Sequence, residues 1–587
     1  MPEKTEKPEA FGLLYNQRLC GGEQNRVTIK NLHSGRSYIG HDIAYGNTAK
    51  LVFTDSRDAR LEPYLSLLTH LSDTDACFLK EEAGIYLERI SDKESTEEIY
   101  RVEDREENIS FIFSESGHFR LPENASYDFS SRFLKEIEGL ERLDVSRTTN
   151  INGMFSGCEL LERLDLSSWD VSLVTNMSRM FESCDSLKNL NLSKWDTDSV
   201  ANMAYMFRGC RKLQALEGIK HLNTSNVTSM TYMFARCIAL ESLDLSVWNT
   251  GKVTSMEGMF DTCIHLENLV LHGLDVRKLQ STERMFSGCI NLEKLDLSGW
   301  HLDSAESLSV MFEGCSKLKE LSLDDFTAPT ATRTFQMFGS CQSLERLDLT
   351  GVSFQHISSI CAMFSRCFAL KDLRLSPFKA PVLENASYAF ERCKSLTEID
   401  LSGATVPLLK DITNMFEGCS SLTKADLSGW NTSNVIWTSS LFKGCESLKS
   451  IDMTGWDTGS VTDMDYMFAR SGIENTDFCA WLNTENVQDM SHMFENCKGL
   501  KTADLPGFDT SNVQTMCAMF SGCKTLEKIS LPCASTAKGP NLQGVFKDCD
   551  SLKTVELPRH PLAARKLKEQ ASSILERKSQ TIEGASL

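Results

Sequence analysis

The sequence has no run of 18 apolar residues, so no segment is long enough to form a membrane-spanning helix. Its opening, MPEKTEKPEAFGLLYNQRLCGG, carries early prolines and mixed charges where a secretory signal needs an apolar stretch. The closing TIEGASL has no hydrophobic tail or lipidation signal. As it stands the sequence predicts a cytoplasmic protein; a leader missing upstream, or signal-independent export, predicts the cell surface or secretion instead. Positive charge is in deficit. There are 61 Lys and Arg against 81 Asp and Glu, a net −20. This argues against nucleic acid or an anionic membrane as the main partner; the expected partner is a protein, and the charge permits a basic surface on it without requiring one. No Cys-x-x-Cys pair is present, so thiolate metal sites are not predicted. His33, His41 and His70 are scattered without ligand spacing. No nucleophile, base or acid–base pair stands out. The reading is a non-enzyme with no catalytic residue, cofactor or metal.

What is abundant is repetition. A Met-Phe pair, or a close variant of it, recurs with its Phe at 155, 181, 207, 234 and onward to 546. Fourteen of the fifteen steps are 26 residues and one, Phe207 to Phe234, is 27. At 587 residues an ordinary chain would hold about four domains. A fixed period replaces that expectation with a solenoid, which grows by adding units. Of 21 cysteines, fifteen lie three residues after the repeat Phe, from Cys158 to Cys549. One per unit at a fixed register predicts a reduced, buried column of small apolar side chains, not a disulfide framework.

Within a unit such as Asn191 to Leu213, leucines six, nine and eleven residues after the Phe predict a short strand with one buried face. An aromatic follows, at Trp169, Trp195, Trp248, Trp300, Trp430 and Trp456, then a polar turn such as Asp196-Thr197-Asp198-Ser199. Val200, Met203, Phe207 and Cys210 fall at helical spacing. The prediction is an α/β solenoid of about 16 coils, one short strand and one short helix per 26 residues, with right-handed crossovers and a strand wall roughly 75 Å long. The pattern L-x-L-D-L-S-x-W-D/N-T-S-N-V-x-x-M-x-x-M-F-x-G-C, as in Leu243 to Cys263, Leu427 to Cys445 and Asp504 to Cys523, resembles the BspA-like branch of leucine-rich repeats, a 26-residue bacterial surface-protein repeat common in mycoplasmal lipoproteins and Gram-positive surface proteins. The resemblance covers about residues 120 to 557. It implies a solenoid used for adhesion or protein binding, and export.

The ends differ from the middle. Residues 1–118 carry no copy of the unit and predict a small mixed α+β domain, with strands at Val27 to Leu32, Ala49 to Asp55 and Ile109 to Ser114 and a short helix at Leu61 to Leu71. Asn124 to Phe129 is a degenerate first unit. Residues 119–558 form the solenoid. Residues 559–587 hold a capping helix, Leu562 to Arg577, with Leu567, Ala571 and Ile574 on one face.

Candidate binding residues fall into two sets. Ten residues after the Phe, the outward strand position carries Asp165, Asp244, Asp296, Asp348, Asp400, Asp426, Asp452 and Asp504. This column is either an acidic strip for a basic partner or cations, or a solvated face balanced by Arg163, Lys294, Arg346 and Lys424 beside it. The second set lies in irregular units: Lys220 and His221 in the 27-residue step, and Glu474, Asn475 and Asp477 where Ser471 replaces the column cysteine. The functional expectation is a protein-binding scaffold. A bacterial surface adhesin is one alternative. An effector with an activity in residues 1–118, targeted by its solenoid, is the other.

Overall fold

A stack of phenylalanine rings runs the length of the molecule. In the computed structural model, Phe129, Phe155 and each repeat phenylalanine onward to Phe546 lie ring over ring with centroids 5.2–6.2 Å apart. The side chains are at most 1% exposed. The structure describes residues 48–61, 63–64, 80–82, 85–89, 99–105, 107–350, 352–375, 378–531, 539–556 and 564–572. The predicted strand at Val27 to Leu32, most of the predicted helix from Leu61, and His33, His41 and His70 lie outside them.

Most coils place a three-residue strand on one wall. Leu190, Leu243, Leu295 and Leu347 point into the core from these strands while their neighbours face outward. Strands of successive coils pair in parallel, as in Asp400↔Asp426 and Asp426↔Asp452. The buried tryptophan that follows donates its indole N–H to the coil before at every column position but Trp300, as Trp430 does to the Leu401 carbonyl at 2.8 Å. A buried threonine hydroxyl binds the coil after, as Thr432 does to the Asp457 carbonyl at 2.8 Å. The solenoid of about 16 turns is therefore as the repeat predicts.

The predicted helix in each coil is not there. The segment from Val200 to Cys210 is a chain of tight turns. The backbone is left-handed two residues before the phenylalanine in every coil, including Tyr205 (φ 62°) and even the β-branched Val310 (φ 60°), and again two residues after it from Phe155 onward, including Gly209 (φ 78°) and Arg236 (φ 61°). A helix cannot pass through such residues. Two kinds of bond hold the turns instead. Met206 N–H bonds the Met203 carbonyl within the coil. Met203, Tyr205, Phe207 and Gly209 N–H groups bond the Ser229, Thr231, Met233 and Ala235 carbonyls of the next coil. The Met, Phe and Cys spacing that reads as helical is the spacing of inward residues on this second ladder.

All fifteen column cysteines donate their S–H to the phenylalanine carbonyl of the preceding coil, at 3.0–3.2 Å. From Phe155 onward that carbonyl already accepts the N–H of the residue three further on, as Phe181 does from Cys184, so the thiol fills the second lone pair. Burial pushes the Cys263, Cys315, Cys367 and Cys419 thiols up to about 12. Since the thiolate is the reactive form, these four thiols should be inert. Cys361 and Cys517, outside it, are half-buried. A polar thiol reagent is expected to reach those two well before any column cysteine, and all 21 only after denaturation. Thiols that stay blocked in denaturant without reductant would overturn the reduced column.

At the N-terminal end a six-stranded mixed sheet abuts the first coils, in the order Lys80–Glu82, Ile85–Arg89, Ile99–Asp104, Ile109–Ser114, Lys50–Asp55, Glu136–Glu138. Its last member follows the first repeat phenylalanine and pairs in parallel with Lys50–Asp55. Phe53 meets Phe129 edge-on at 5.9 Å and 79°, which ends the ring stack. At the other end a helix over 564–572 buries Leu567 and Ala571 in the solenoid core. Among the described residues no helix is long and apolar enough to cross a membrane.

Candidate functional site

The outward aspartates of the strand wall are tied into the turns that follow them. Asp244 accepts the Ser246 N–H at 3.0 Å and its hydroxyl at 2.7 Å. Asp165, Asp296, Asp348, Asp400, Asp426 and Asp452 each accept the N–H of the residue two further on. Bonds from Ser298 and Ser402 hold the Asp296 and Asp400 carboxyls below the usual carboxylate range. Asp504 differs, because its backbone is the part engaged, with its N–H on the Thr476 hydroxyl at 2.9 Å. Cations are interleaved along the wall: Lys294 pairs with Glu320, and Arg374 with Asp348. Among the described residues no group of three or more His, Cys, Asp or Glu is placed to hold a metal ion.

The two irregular units resolve in opposite ways. In the first, the added residue turns the exit of strand Ala215–Glu217 into a single 3₁₀ turn, Ile219–His221. Gly218 enters that turn at φ 79°, and a Cβ there would lie 2.3 Å from the Ser193 nitrogen, so only glycine fits. Strand Ala215–Glu217 pairs backward with Asn189–Asn191, and Ser242–Asp244 pairs forward with Asn268–Val270. The ladder stays open between them, leaving a groove of about 430 Å³. Leu216, Ile219, Leu243 and Val270 supply apolar wall; Glu217, Lys220, His221, Asp244 and Asn268 supply polar rim. The Lys220 ammonium pairs with Asp244 across the opening. That contact, then the Ser246 hydroxyl, holds the Asp244 carboxyl well below its ordinary range.

In the second irregular unit the gap is sealed. Thr476 stands where the strand is missing; its hydroxyl donates to the Asp504 carbonyl and accepts the Asp504 N–H, both at 2.9 Å. Phe478 packs on spine Phe468 at 4.9 Å, and Ile473 is buried. Glu474 pairs with Lys501, Asn475 caps the Asp477 N–H, and Asp477 opens the 3₁₀ turn Asp477–Trp481. The structure thus brings Lys220, His221 and Asp244 together around one opening, and leaves Glu474, Asn475 and Asp477 on a closed surface. Asn268 was not singled out by sequence reasoning. Val270, an apolar residue in a column of aspartates, was the available signal.

These features define a leucine-rich-repeat-type solenoid whose strand ladder is interrupted at several places, one of which opens into a groove. The family described as "Mycoplasma protein of unknown function, DUF285" matches residues 123–241, 188–294, 264–378, 384–503, 410–535 and 471–557, and the chain belongs to it. No curated protein matches the sequence. Solved structures similar to the chain include an LRR protein of Leptospira interrogans, 14% identical over 72% of this chain and 94% of that one, TM-score 0.19. The functional domain of InlJ from Listeria monocytogenes, described as including a cysteine ladder, is 15% identical over 71% and 68%, TM-score 0.18. The Toll–Spatzle complex of Drosophila gives 12% identity over 84% and 75%, TM-score 0.22.

Proposed function

We propose that the chain is a non-enzymatic scaffold that captures a protein partner on its strand wall, with the groove at Gln214–His221 as the anchor point. One observation carries this: the opening between Glu217 and Asp244 joins apolar wall to an ion pair that a ligand can compete for. Elsewhere the wall repeats the same outward positions from coil to coil, which suits broad contact at low ordering cost. In this reading residues 1–118 and 559–587 serve as terminal units that shield the two ends of the solenoid at 119–558. The repeat's resemblance to the BspA-like type favours a partner met at a cell surface, and the aspartate column favours one with basic groups.

Ser242 lies on the groove lining and points outward. Ser242→Trp should fill the opening and leave the fold intact. Affinity capture from a source extract is expected to lose a specific protein with this variant and to keep it with Lys294→Ala, elsewhere on the same wall. Identical captured sets for wild type and Ser242→Trp would sink the groove as anchor.

A further inference from the structure

Half a coil away from the strand wall lies the second ladder. The residue five before each spine phenylalanine forms a parallel bridge with its counterpart in the next coil, from Asn124 to Asn541. The occupants are almost all Asn, Ser, Asp or Thr. Trp437 is the exception that is both aromatic and open, at 46% exposed. The six tryptophans of the turn column are at most 5% exposed, so this indole is not placed by core packing. Ile436 beside it is half-buried.

The ladder neighbours of Trp437 are acidic on both sides. Asp411 precedes it, and Asp463 and then Asp489 follow. Asp465 lies one step along the same coil as Asp463 and accepts from Ser439. Asp411, Asp463 and Asp489 each accept the N–H of the residue two further on, at 2.9, 3.1 and 2.7 Å, which fixes their carboxylates in place. Among the described residues, none of the four has an ion-pair partner, although nearby Lys410 and Lys443 are paired elsewhere, with Glu384 and Glu417. Burial, with the charges of Asp465 and Asp489 beside it, pushes the Asp463 carboxyl up to about 6. Asp463, Asp465 and Asp489 therefore crowd one another with no cation between them.

An indole face attracts a guanidinium, and fixed carboxylates form charge-assisted hydrogen bonds with its edge. We propose that Trp437, Ile436, Asp411, Asp463, Asp465 and Asp489 form a docking surface for an arginine-bearing polypeptide segment, with a guanidinium stacked on the indole. The charge balance suits it, since the chain carries a net −20. The surface is distinct from the groove and extends the scaffold to a second wall.

The test uses the full chain and a short labelled peptide of alternating arginine and glycine, followed by fluorescence polarisation at near-physiological salt. Trp437→Ala is expected to weaken binding about tenfold, Trp437→Phe to restore most of it, and Asp463→Asn with Asp489→Asn to weaken it at least as much as the alanine. Glu293→Gln, Glu345→Gln and Glu527→Gln, each paired with a lysine of the next coil, together remove more charge from the strand wall and should leave binding unchanged. Ser242→Trp should bind the peptide normally, so failure of this surface and failure of the groove can be told apart. The proposal falls if wild type does not bind, if the strand-wall triple variant loses as much as Trp437→Ala, or if a lysine peptide binds as tightly as the arginine one.

Discussion

Phe312→Ala is expected to cost about 3–5 kcal/mol, the range for removing a large aromatic from a packed core. Phe312 is fully buried, with ring neighbours Phe286 at 5.5 Å and Phe338 at 5.3 Å. Both interfaces of its coil lose their central contact. In a stacked array, stability is a sum of unit terms and nearest-neighbour terms. The damage should therefore divide the molecule: chemical denaturation would change from one transition towards two, and hydrogen exchange would rise on both sides of the coil. Phe335→Ala provides the comparison, since that side chain is 45% exposed and its loss should stay within about 0.5 kcal/mol. If Phe312→Ala costs less than about 1 kcal/mol, the backbone ladders rather than the ring stack carry the coil-to-coil stability.

Removing residues 1–118 is expected to have the other large effect. Leu51, Phe53 and Ile112 belong to one continuous core with Phe119, Phe129 and the first coils. Strand Glu136–Glu138 would lose its partner Lys50–Asp55, and the Phe129 ring would lose the edge of Phe53. Each large apolar side chain is worth about 1.5–3 kcal/mol of burial, so the loss is on the order of 5 kcal/mol, concentrated at one end. Limited proteolysis should cut the truncated chain first between Phe119 and Phe155, while the coils beyond keep their protection. A truncated chain as resistant there as the full one would show that the sheet leans on the solenoid without supporting it.

The period, the two columns and the strand wall were legible because each recurs in every copy: a leucine alternation, a cysteine register and a phenylalanine step. The arc between strands was misread for a physical reason. Inward residues at three-, four- and seven-residue spacing satisfy a helix and a run of tight turns equally well. What separates them is the backbone sign two residues either side of the phenylalanine. Before it the occupants include Tyr205, Arg179 and Val310, which carry no left-handed signal. After it the recurrent glycines, Gly209, Gly288, Gly314, Gly418, Gly444 and Gly522, did carry one. The groove was half legible. A 27-residue step and a missing cysteine both announce irregularity, but whether a gap opens or closes depends on one side chain. Thr476 supplies the missing donor and acceptor in one unit; in the other, Lys220 reaches across to Asp244 and leaves the space below it vacant.

If the two proposed surfaces both bind, the evenness of the ring stack makes the molecule a calliper. Eight coils separate the spine rings Phe234, beside the groove, and Phe442, beside Trp437, a span of about 40 Å at one strand spacing per coil. Unequal recombination between neighbouring units in the gene would add or remove whole coils and leave both ends and every interior contact as they were. The jaws would then shift in steps of about 5 Å, so a lineage could retune the gap between two grips without inventing a new surface.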